Sequence, residues 1–147
     1  MEHGNLIRVV VRLETGEGRD SAEVLWARLI SPRMAKVENI PLYASDVTLG
    51  SVVEIDARRN VVRVVENTAR TAFGEYWCGP DGDGESRYQV IRDYLAAHDI
   101  PCVGYGPGAI GMSVPNDIAF GRLRVLLAEC EVPVEVVRDT GRRGGPR

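Results

Sequence analysis

An apolar stretch, interrupted by a proline, lies among the predicted strands of the first half and sets how they connect: Glu38-Asn39-Ile40-Pro41-Leu42-Tyr43-Ala44. Pro41 has no backbone N–H to donate to a sheet, and its ring pushes Ile40 into an extended conformation. Ile40 and Leu42 then face one way and Tyr43 the other. Asp46, just beyond, suits a turn in which its side chain bonds the backbone. We therefore expect a crossover that holds the first half together.

Short segments of apolar residues, some strictly alternating with polar ones, predict five strands in the first half of the chain. They are residues 6–13, 23–30, 34–38, 51–56 and 61–66. The alternation is cleanest in the first of these, which is typical of a strand with one buried face. Turn residues separate the segments. Five short strands with this spacing indicate a small antiparallel β-barrel or sandwich.

The periodicity changes near residues 67–71, and the second half alternates strands with helices. Strands are predicted at residues 73–78, 102–105, 109–114 and 134–138, and helices at 86–98 and from 116 or 117 to about 130. Ser86 is the expected cap of the first helix, and Asn116 or Asp117 that of the second. The order βαββαβ is that of the ferredoxin-like arrangement.

The predicted fold class is therefore α+β, in three segments. Residues 1–70 form the N-terminal β-barrel or sandwich, and residues 71–139 form a ferredoxin-like half packed against it. Residues 140–147 are rich in Gly, Arg and Pro, which predicts a disordered tail.

Charge is spread unevenly along the 147 residues, whose net charge is −3. Residues 1–70 hold ten acids and ten bases, whereas residues 71–137 hold ten acids and four arginines, a net −6. An acidic body argues against nucleic acid as a partner and favours a basic protein. The sequence has no apolar run near the roughly 20 residues of a bilayer span and no signal-peptide pattern at its start. We therefore expect a cytoplasmic protein without membrane contact.

Two glycine-containing motifs resemble ligand sites but lack the required context. Residues 106–111 match G-x-G-x-x-G, yet no helix follows to hold a pyrophosphate, so the motif predicts a hairpin turn. Residues 81–85 resemble the start of a calcium loop, but Ser86 and Arg92 stand where an EF-hand needs glycine and glutamate. A solvated turn before a helix is the preferred interpretation, and an irregular cation site is the alternative.

The residues that could catalyse a reaction do not form a coherent set. His98 and Cys102 are close in sequence, but Pro101 separates them, and a buried thiol beside a helix-end histidine explains both. Three carboxylates could share one end of the barrel: Glu54, Asp56 and Glu66. Acids at strand ends usually face solvent. We expect no metal and no cofactor, and the protein is more consistent with a binding role than with an enzyme.

Aromatic and acidic side chains are concentrated where the second half begins. The candidate binding residues are Tyr76, Trp77, Asp81, Asp83 and Glu85. Adjacent residues on a strand point to opposite faces, so one of the two aromatics should face outward. An outward aromatic would serve as an anchor for a partner or ligand, although packing in the core is the more common role.

Three segments of the sequence resemble a bacterial family known as domain of unknown function 4265. They are Leu25-Trp26-Ala27, then Asn39-Ile40-Pro41-Leu42, then Gly50-Ser51-Val52-Val53. The resemblance covers residues 6–138, nearly the whole chain. Leu42 stands where the family usually has phenylalanine, and Ser51 where it has aspartate. The family implies a β half followed by an α/β half, and it carries no established activity, cofactor or catalytic residue.

The leading functional hypothesis is a non-enzymatic binding protein, most concretely an immunity or antitoxin-like protein that masks a protein toxin through its acidic second half. The second hypothesis is a sensor of an amino-acid-like small molecule, with the ligand at residues 79–86. The third is an enzyme that uses Cys102 or a carboxylate in a cleft between the halves. The sequence leaves the oligomeric state undetermined.

Overall fold

A computed structural model describes residues 5–13, 21–44, 46–67, 69–79 and 84–141. These residues form nine strands and two helices. Every strand ladder is antiparallel, and the fold class is α+β, as predicted. The chain divides into two compact units, Met1–Ala69 and Arg70–Arg147.

The first unit is a five-stranded sheet that curls into a half-barrel. Its strands are β1 (Leu6–Leu13), β2 (Ser21–Ser31), β3 (Met34–Val37), β4 (Val52–Ile55) and β5 (Val61–Glu66), in that order across the sheet. The curl brings the turn before β5 to β1, where the Val10 amide donates to the Arg59 carbonyl at 2.9 Å. The five predicted strands are confirmed, and β2 is longer at both ends than predicted.

The core of the first unit follows from the alternation of its strands. Ile7 and Val9 on β1 lie opposite Ala27 and Leu25 on β2, and all four are buried. Their neighbours in the sequence point away from the core. The buried residues of this core are Ile7, Val9, Leu25, Ala27, Ala35, Val37, Ala44, Val47, Val53 and Ile55. Burial of one face is what fixes the strand register.

The proline-containing stretch of residues 38–44 connects β3 to β4, which are neighbours in the sheet. It is therefore a long connection between adjacent strands, and the predicted crossover is wrong. The short β3 pairs with β2 only from Ala27 onward, which leaves the preceding edge of β2 without a strand partner. The stretch covers that edge: the Trp26 amide donates to Asn39 Oδ1 at 2.7 Å, and the Glu38 amide donates to the Trp26 carbonyl. Covering an edge in this way prevents pairing with other chains.

Glu23 on β2 holds the far end of the stretch. Its carboxylate accepts hydrogen bonds from three successive backbone amides, those of Leu42, Tyr43 and Ala44, at 2.7, 3.0 and 2.9 Å. Hydrogen bonds to an ionised acceptor are roughly twice as strong as neutral ones. Pro41 is buried beside them. One carboxylate therefore determines the path of the chain through Leu42–Ala44.

The second unit is a four-stranded sheet with two helices. Its elements are β6 (Arg70–Glu75), α1 (Gly84–Ala97), β7 (Cys102–Gly104), β8 (Ala109–Val114), α2 (Asp117–Glu129) and β9 (Glu135–Gly141). The strand order across the sheet is β7-β8-β6-β9. Asn116 caps α2, since its Oδ1 accepts from the Ala119 amide at 2.8 Å. Neither helix is long and apolar enough to cross a membrane.

The helices and one face of this sheet share an apolar core. Its buried residues are Ala72, Tyr76, Ile91, Leu95, Ile110, Met112, Val114, Phe120, Leu123, Leu127, Cys130, Val132 and Val134. Leu123 and Leu127 are one helical turn apart on α2, and Ile91 and Leu95 are one turn apart on α1. This spacing places each pair on a single helix face, and that face is buried.

Three boundaries in the second unit differ from the prediction. β6 runs over Arg70–Glu75, not residues 73–78, because its pairing with β8 ends where the hairpin turn begins. α1 starts at Gly84, so Ser86 lies within its first turn and is not its cap. β9 continues through Thr140 and Gly141, which pair with Thr71 and Arg70. The predicted disordered tail is therefore wrong for Thr140 and Gly141. Residues 142–147 lie outside the described part of the chain.

The G-x-G-x-x-G match is a turn between β7 and β8, as predicted. Gly106 and Gly108 have φ angles of 108° and 80°, which residues with a Cβ rarely adopt. Gly108 also has no room for a side chain, since a Cβ there would lie 2.9 Å from the Tyr76 carbonyl oxygen.

Candidate functional site

Tyr76 and Trp77 directly follow β6 and have opposite exposures. Tyr76 is 7% exposed, whereas Trp77 is 68% exposed. The Tyr76 amide donates to the Gly108 carbonyl at 3.0 Å, which ties this segment to the β7–β8 turn. One aromatic therefore packs inward and the other faces outward, as predicted from the sequence.

Trp77 borders a surface depression of about 450 Å³ in the second unit. We call it the tryptophan depression, and its lining residues are Glu75, Tyr76, Trp77, Pro133, Val134 and Glu135. Glu75 and Glu135 are directly opposite each other on β6 and β9. On the tryptophan itself, the Arg87 guanidinium carbon lies 4.9 Å from the ring centre, a cation–π contact. The depression thus combines an exposed indole with two facing carboxylates.

A second concavity of about 470 Å³ lies between α1 and the β7–β8 hairpin. We call it the tyrosine groove, and its lining residues are Tyr76, Glu85, Tyr88, Val103, Gly104, Gly106 and Pro107. Its volume is within the range of small-molecule sites. Tyr76 lines both concavities, so they are neighbours in the second unit.

Burial alters the acid–base behaviour of the groups in and beside the groove. It raises the pKa of Tyr76 and of Tyr88 above the usual value for tyrosine. Burial also raises the pKa of Cys102, and the neighbouring Tyr88 side chain partly offsets this rise. Tyrosine and cysteine are already mainly protonated at neutral pH, and burial favours that form further in all three groups.

This arrangement does not favour Cys102 as a nucleophile, because a reactive cysteine needs a lowered pKa. The nearby His98 instead contacts the Tyr94 ring, with ring centres 4.9 Å apart. Asp99, which lies between His98 and Cys102 in the sequence, adopts a positive φ of 59° just after α1 ends. The side chain that influences the Cys102 thiol is therefore the phenol of Tyr88, and His98 contacts the Tyr94 ring.

The three carboxylates expected to share a barrel end have different surroundings. Glu54 pairs with Arg63 at 3.5 Å. Asp56 accepts hydrogen bonds from the amides of Arg58 and Asn60, and the bonds from Asn60 lower the pKa of Asp56. Glu66 ends β5 opposite Val52. Within the described residues, no three His, Cys, Asp or Glu side chains come together as a metal site.

Two of the five predicted binding residues, Asp81 and Asp83, lie outside the described residues. The other three line the two concavities. Trp77 lines the tryptophan depression, Glu85 lines the tyrosine groove, and Tyr76 lines both. Sequence reasoning missed Glu135, because its position opposite Glu75 depends on a pairing between distant strands. Tyr88 was also missed, although its spacing of three residues from Glu85 on a helix could have indicated a shared face.

Ser51, one of the residues that carry the family resemblance, has a local structural role. Its buried Oγ accepts from the Thr48 amide at 2.8 Å. Thr48 Oγ1 in turn donates to Asn67 Oδ1 at 2.7 Å. These bonds attach the loop before β4 to the end of β5, so Ser51 fixes a loop.

Comparisons with known proteins assign the chain to a family and support its fold. The family model described as "Domain of unknown function (DUF4265)" matches residues 23–134. No curated protein matches the chain. A solved structure described as "Novel crystal structure of a hypothetical protein from Neisseria gonorrhoeae" is similar over 92% of this chain and 96% of its own, with a TM-score of 0.63 and 14% identity. At that identity the similarity shows the fold alone. The chain belongs to the DUF4265 family.

Proposed function

We propose that this protein is a non-catalytic binding protein that recognises a basic segment of a protein partner at the tryptophan depression. The observation that carries the proposal is the position of an exposed tryptophan, Trp77, beside two facing carboxylates, Glu75 and Glu135. Neither carboxylate forms an ion pair with a basic residue in the described part of the chain. A lysine or arginine from a partner would supply the missing charge.

The facing glutamates favour a cation on electrostatic grounds. Directly opposed residues of an antiparallel pair have Cβ atoms about 5 Å apart, and like charges at that distance destabilise the sheet. Both Glu75 and Glu135 are exposed, so water screens much of this repulsion. A bound cation would remove the remaining repulsion between the two carboxylates. Loss of this repulsion would add to the free energy of binding.

Trp77 supplies the apolar part of the recognition. Tryptophan is enriched among the residues that contribute most to protein interfaces. The ring is already oriented by the guanidinium of Arg87, so less side-chain freedom would be lost on binding. Pro133, a conformationally restricted residue, also lines the depression. The surface is therefore partly organised before a partner arrives.

An immunity or antitoxin-like protein that masks a basic toxin in the cytoplasm is the most concrete form of this proposal. The small size and the acidic balance of residues 71–137 support it. We also propose that the second unit is ferredoxin-like. The strand order β7-β8-β6-β9, with helices after β6 and β8, supports that assignment.

A pair of matched peptides tests the basic-partner proposal. The probe is a fluorescent peptide of alternating arginine and glycine, and its control replaces every arginine with neutral citrulline. We expect the arginine peptide to bind at low salt and to weaken as salt rises. We expect binding to fall roughly tenfold for each of Glu75→Gln and Glu135→Gln. Equal binding of both peptides, or unchanged binding by both variants, would contradict the proposal.

The toxin-masking form has its own test. The protein is mixed with a basic toxin encoded beside its gene, and complex formation is followed by size-exclusion chromatography at low and high salt. A complex that Trp77→Ala abolishes would support this form. No complex at any salt concentration, together with peptide binding, would leave a basic-partner protein that is not an immunity protein.

A further inference from the structure

The tyrosine groove has features that recognition of a basic peptide at the tryptophan depression does not use. Glu85 is in the first turn of α1, and Tyr88 is three residues later on the same helix face. Val103 and Gly104 of β7 and Pro107 of the following turn form the opposite wall. One carboxylate therefore stands at the side of a groove that is otherwise lined by aromatic rings, apolar side chains and backbone.

The wall formed by Tyr88 is fixed by close packing. A Cβ at Gly104 would lie 2.9 Å from Tyr88 Cε1, so the ring lies directly against the backbone of β7. In contrast, a Cβ at Gly106 would meet no atom within 4 Å, so the groove is open at that end. It thus has a rigid wall and an open entrance.

The charges around the groove favour a cationic ligand. Glu85 is exposed and forms no ion pair with a basic residue in the described part of the chain. Arg87, two residues after Glu85 in α1, has its guanidinium over the Trp77 ring and is not among the residues that line the groove. The next cation along the helix, Arg92, lies within 3.7 Å of the Asp93 carboxylate, which offsets its charge. Tyrosine faces also attract cations through their ring quadrupole. An anionic ligand would meet the carboxylate, and no basic residue among those that line the groove would balance it.

We propose that the tyrosine groove binds a small protonated amine carried on an apolar, planar body. Glu85 pairs with the ammonium group. The rings of Tyr76 and Tyr88 enclose the body, and Val103 and Pro107 cover its remaining edge. Tyrosine is neutral at physiological pH, and burial raises the pKa of both residues further, so their hydroxyl groups offer the ligand uncharged hydrogen-bond partners.

Three probes of similar size test the charge preference: 2-phenylethylamine, the neutral 2-phenylethanol and the anionic 3-phenylpropionate. Each is titrated into the ¹⁵N-labelled full chain and followed through the backbone amide resonances. We expect the amine to bind saturably and to shift amides at residues 85–88 and 103–106. We expect the alcohol to bind roughly tenfold more weakly, since it lacks the charged hydrogen bond, and the acid to bind least.

Matched variants locate the site. Glu85→Gln should weaken amine binding about tenfold, whereas Glu131→Gln, an exposed glutamate outside the groove, should leave it unchanged. Gly104→Ala should also abolish binding, because its Cβ displaces the Tyr88 ring. If that variant does not fold, Glu85→Gln remains decisive.

Three results would overturn the inference: equal affinity for amine and alcohol, unchanged binding by Glu85→Gln, or shifts confined to residues 75, 77 and 135. The last result would assign the amine to the tryptophan depression. Two variants distinguish the two sites. Trp77→Ala should still bind the amine in the tyrosine groove, and Glu85→Gln should still bind the arginine peptide at the tryptophan depression.

Discussion

Each unit has an exposed tryptophan beneath an arginine, and the two pairs are similar in local geometry. The Arg8 guanidinium carbon lies 4.8 Å from the Trp26 ring centre, and that of Arg87 lies 4.9 Å from Trp77. Their exposures are 44% and 68%. Their backbones differ, because Trp26 is within β2 and bonded to the 38–44 stretch, whereas Trp77 follows the end of β6.

The charges around the two tryptophans also differ. Beside Trp26, Glu38 pairs with Arg28 at 3.1 Å, so the acid is already neutralised. Beside Trp77, the facing acids Glu75 and Glu135 have no ion pair with a base in the described residues. An exposed aromatic under an arginine is thus insufficient to indicate a binding site. The unbalanced charge beside it is the feature that distinguishes the second unit.

The largest expected effect is the loss of partner binding when the Trp77 side chain is removed. We expect Trp77→Ala to cost about 3 kcal/mol of binding free energy, roughly 150-fold in affinity for the arginine peptide. Trp26→Ala, the matched change in the first unit, should leave the affinity unchanged. Fluorescence anisotropy of the labelled peptide measures both. If Trp26→Ala instead removed binding and Trp77→Ala did not, the site would belong to the first unit.

The second prediction concerns stability in the first unit. Glu23→Ala removes the acceptor of three backbone amides in residues 42–44. We expect a loss of about 2 kcal/mol in the free energy of unfolding, since charged hydrogen bonds are lost and two of the donors are partly buried. Urea denaturation followed by Trp26 fluorescence in a Trp77→Phe background measures this loss for the first unit.

Glu38→Ala is the control for that change. It removes the exposed ion pair with Arg28, and such pairs contribute at most about 0.5–1 kcal/mol. Neither variant should alter peptide binding by the folded protein. Equal destabilisation by Glu23→Ala and Glu38→Ala would show that the three amide bonds add nothing beyond a surface ion pair.

Most of the fold was predictable because its signals are local. Alternation gave the five strands of the first unit, and helical spacing gave α1 and α2. The boundaries that failed depend on partners distant in sequence. β6 begins at Arg70 because that residue pairs with Val114 and Gly141, and neither pairing is visible in the sequence around Arg70.

The candidate site was predictable in part for the same reason. Trp77 could be identified from its position beside Tyr76 in a predicted strand. The position of Glu135 opposite Glu75 could not be predicted, because it depends on the register of β6 with β9. The two residues are sixty positions apart in the sequence. The role of residues 38–44 was also misjudged. Covering the edge of β2 depends on β3 being too short to pair with all of it.

The third prediction tests whether residues 38–44 are purely structural. Pro41→Ala removes a buried ring and increases the conformational freedom of the unfolded chain. We expect the free energy of unfolding of the first unit to fall by about 1 kcal/mol. Affinity of the folded variant for the arginine peptide should be unchanged. Weaker binding by a fully folded Pro41→Ala protein would show that this stretch takes part in recognition.

The smallest expected effect is an opposite pH response of the two units. In the first unit, hydrogen bonds from Asn60 lower the pKa of Asp56. A lowered pKa in the folded state stabilises the protein above the unfolded value, near pH 4, and this contribution is lost as the pH falls further.

In the second unit, burial raises the pKa of Cys102 and of Tyr88. That contribution is complete below about pH 8.5 and is lost as the pH rises through the range of cysteine and tyrosine.

Single-tryptophan variants separate the two responses, since Trp26 and Trp77 are the only tryptophans. Trp77→Phe reports on the first unit and Trp26→Phe on the second. Between pH 7 and 10.5 we expect the urea midpoint of the second unit to fall more than that of the first, and below pH 4 the reverse. Adding Tyr88→Phe should reduce the fall of the second unit's urea midpoint at alkaline pH, because phenylalanine has no hydroxyl that loses a proton there. An alkaline fall of equal size in both units, unaffected by Tyr88→Phe, would mean that burial in the groove does not control the response.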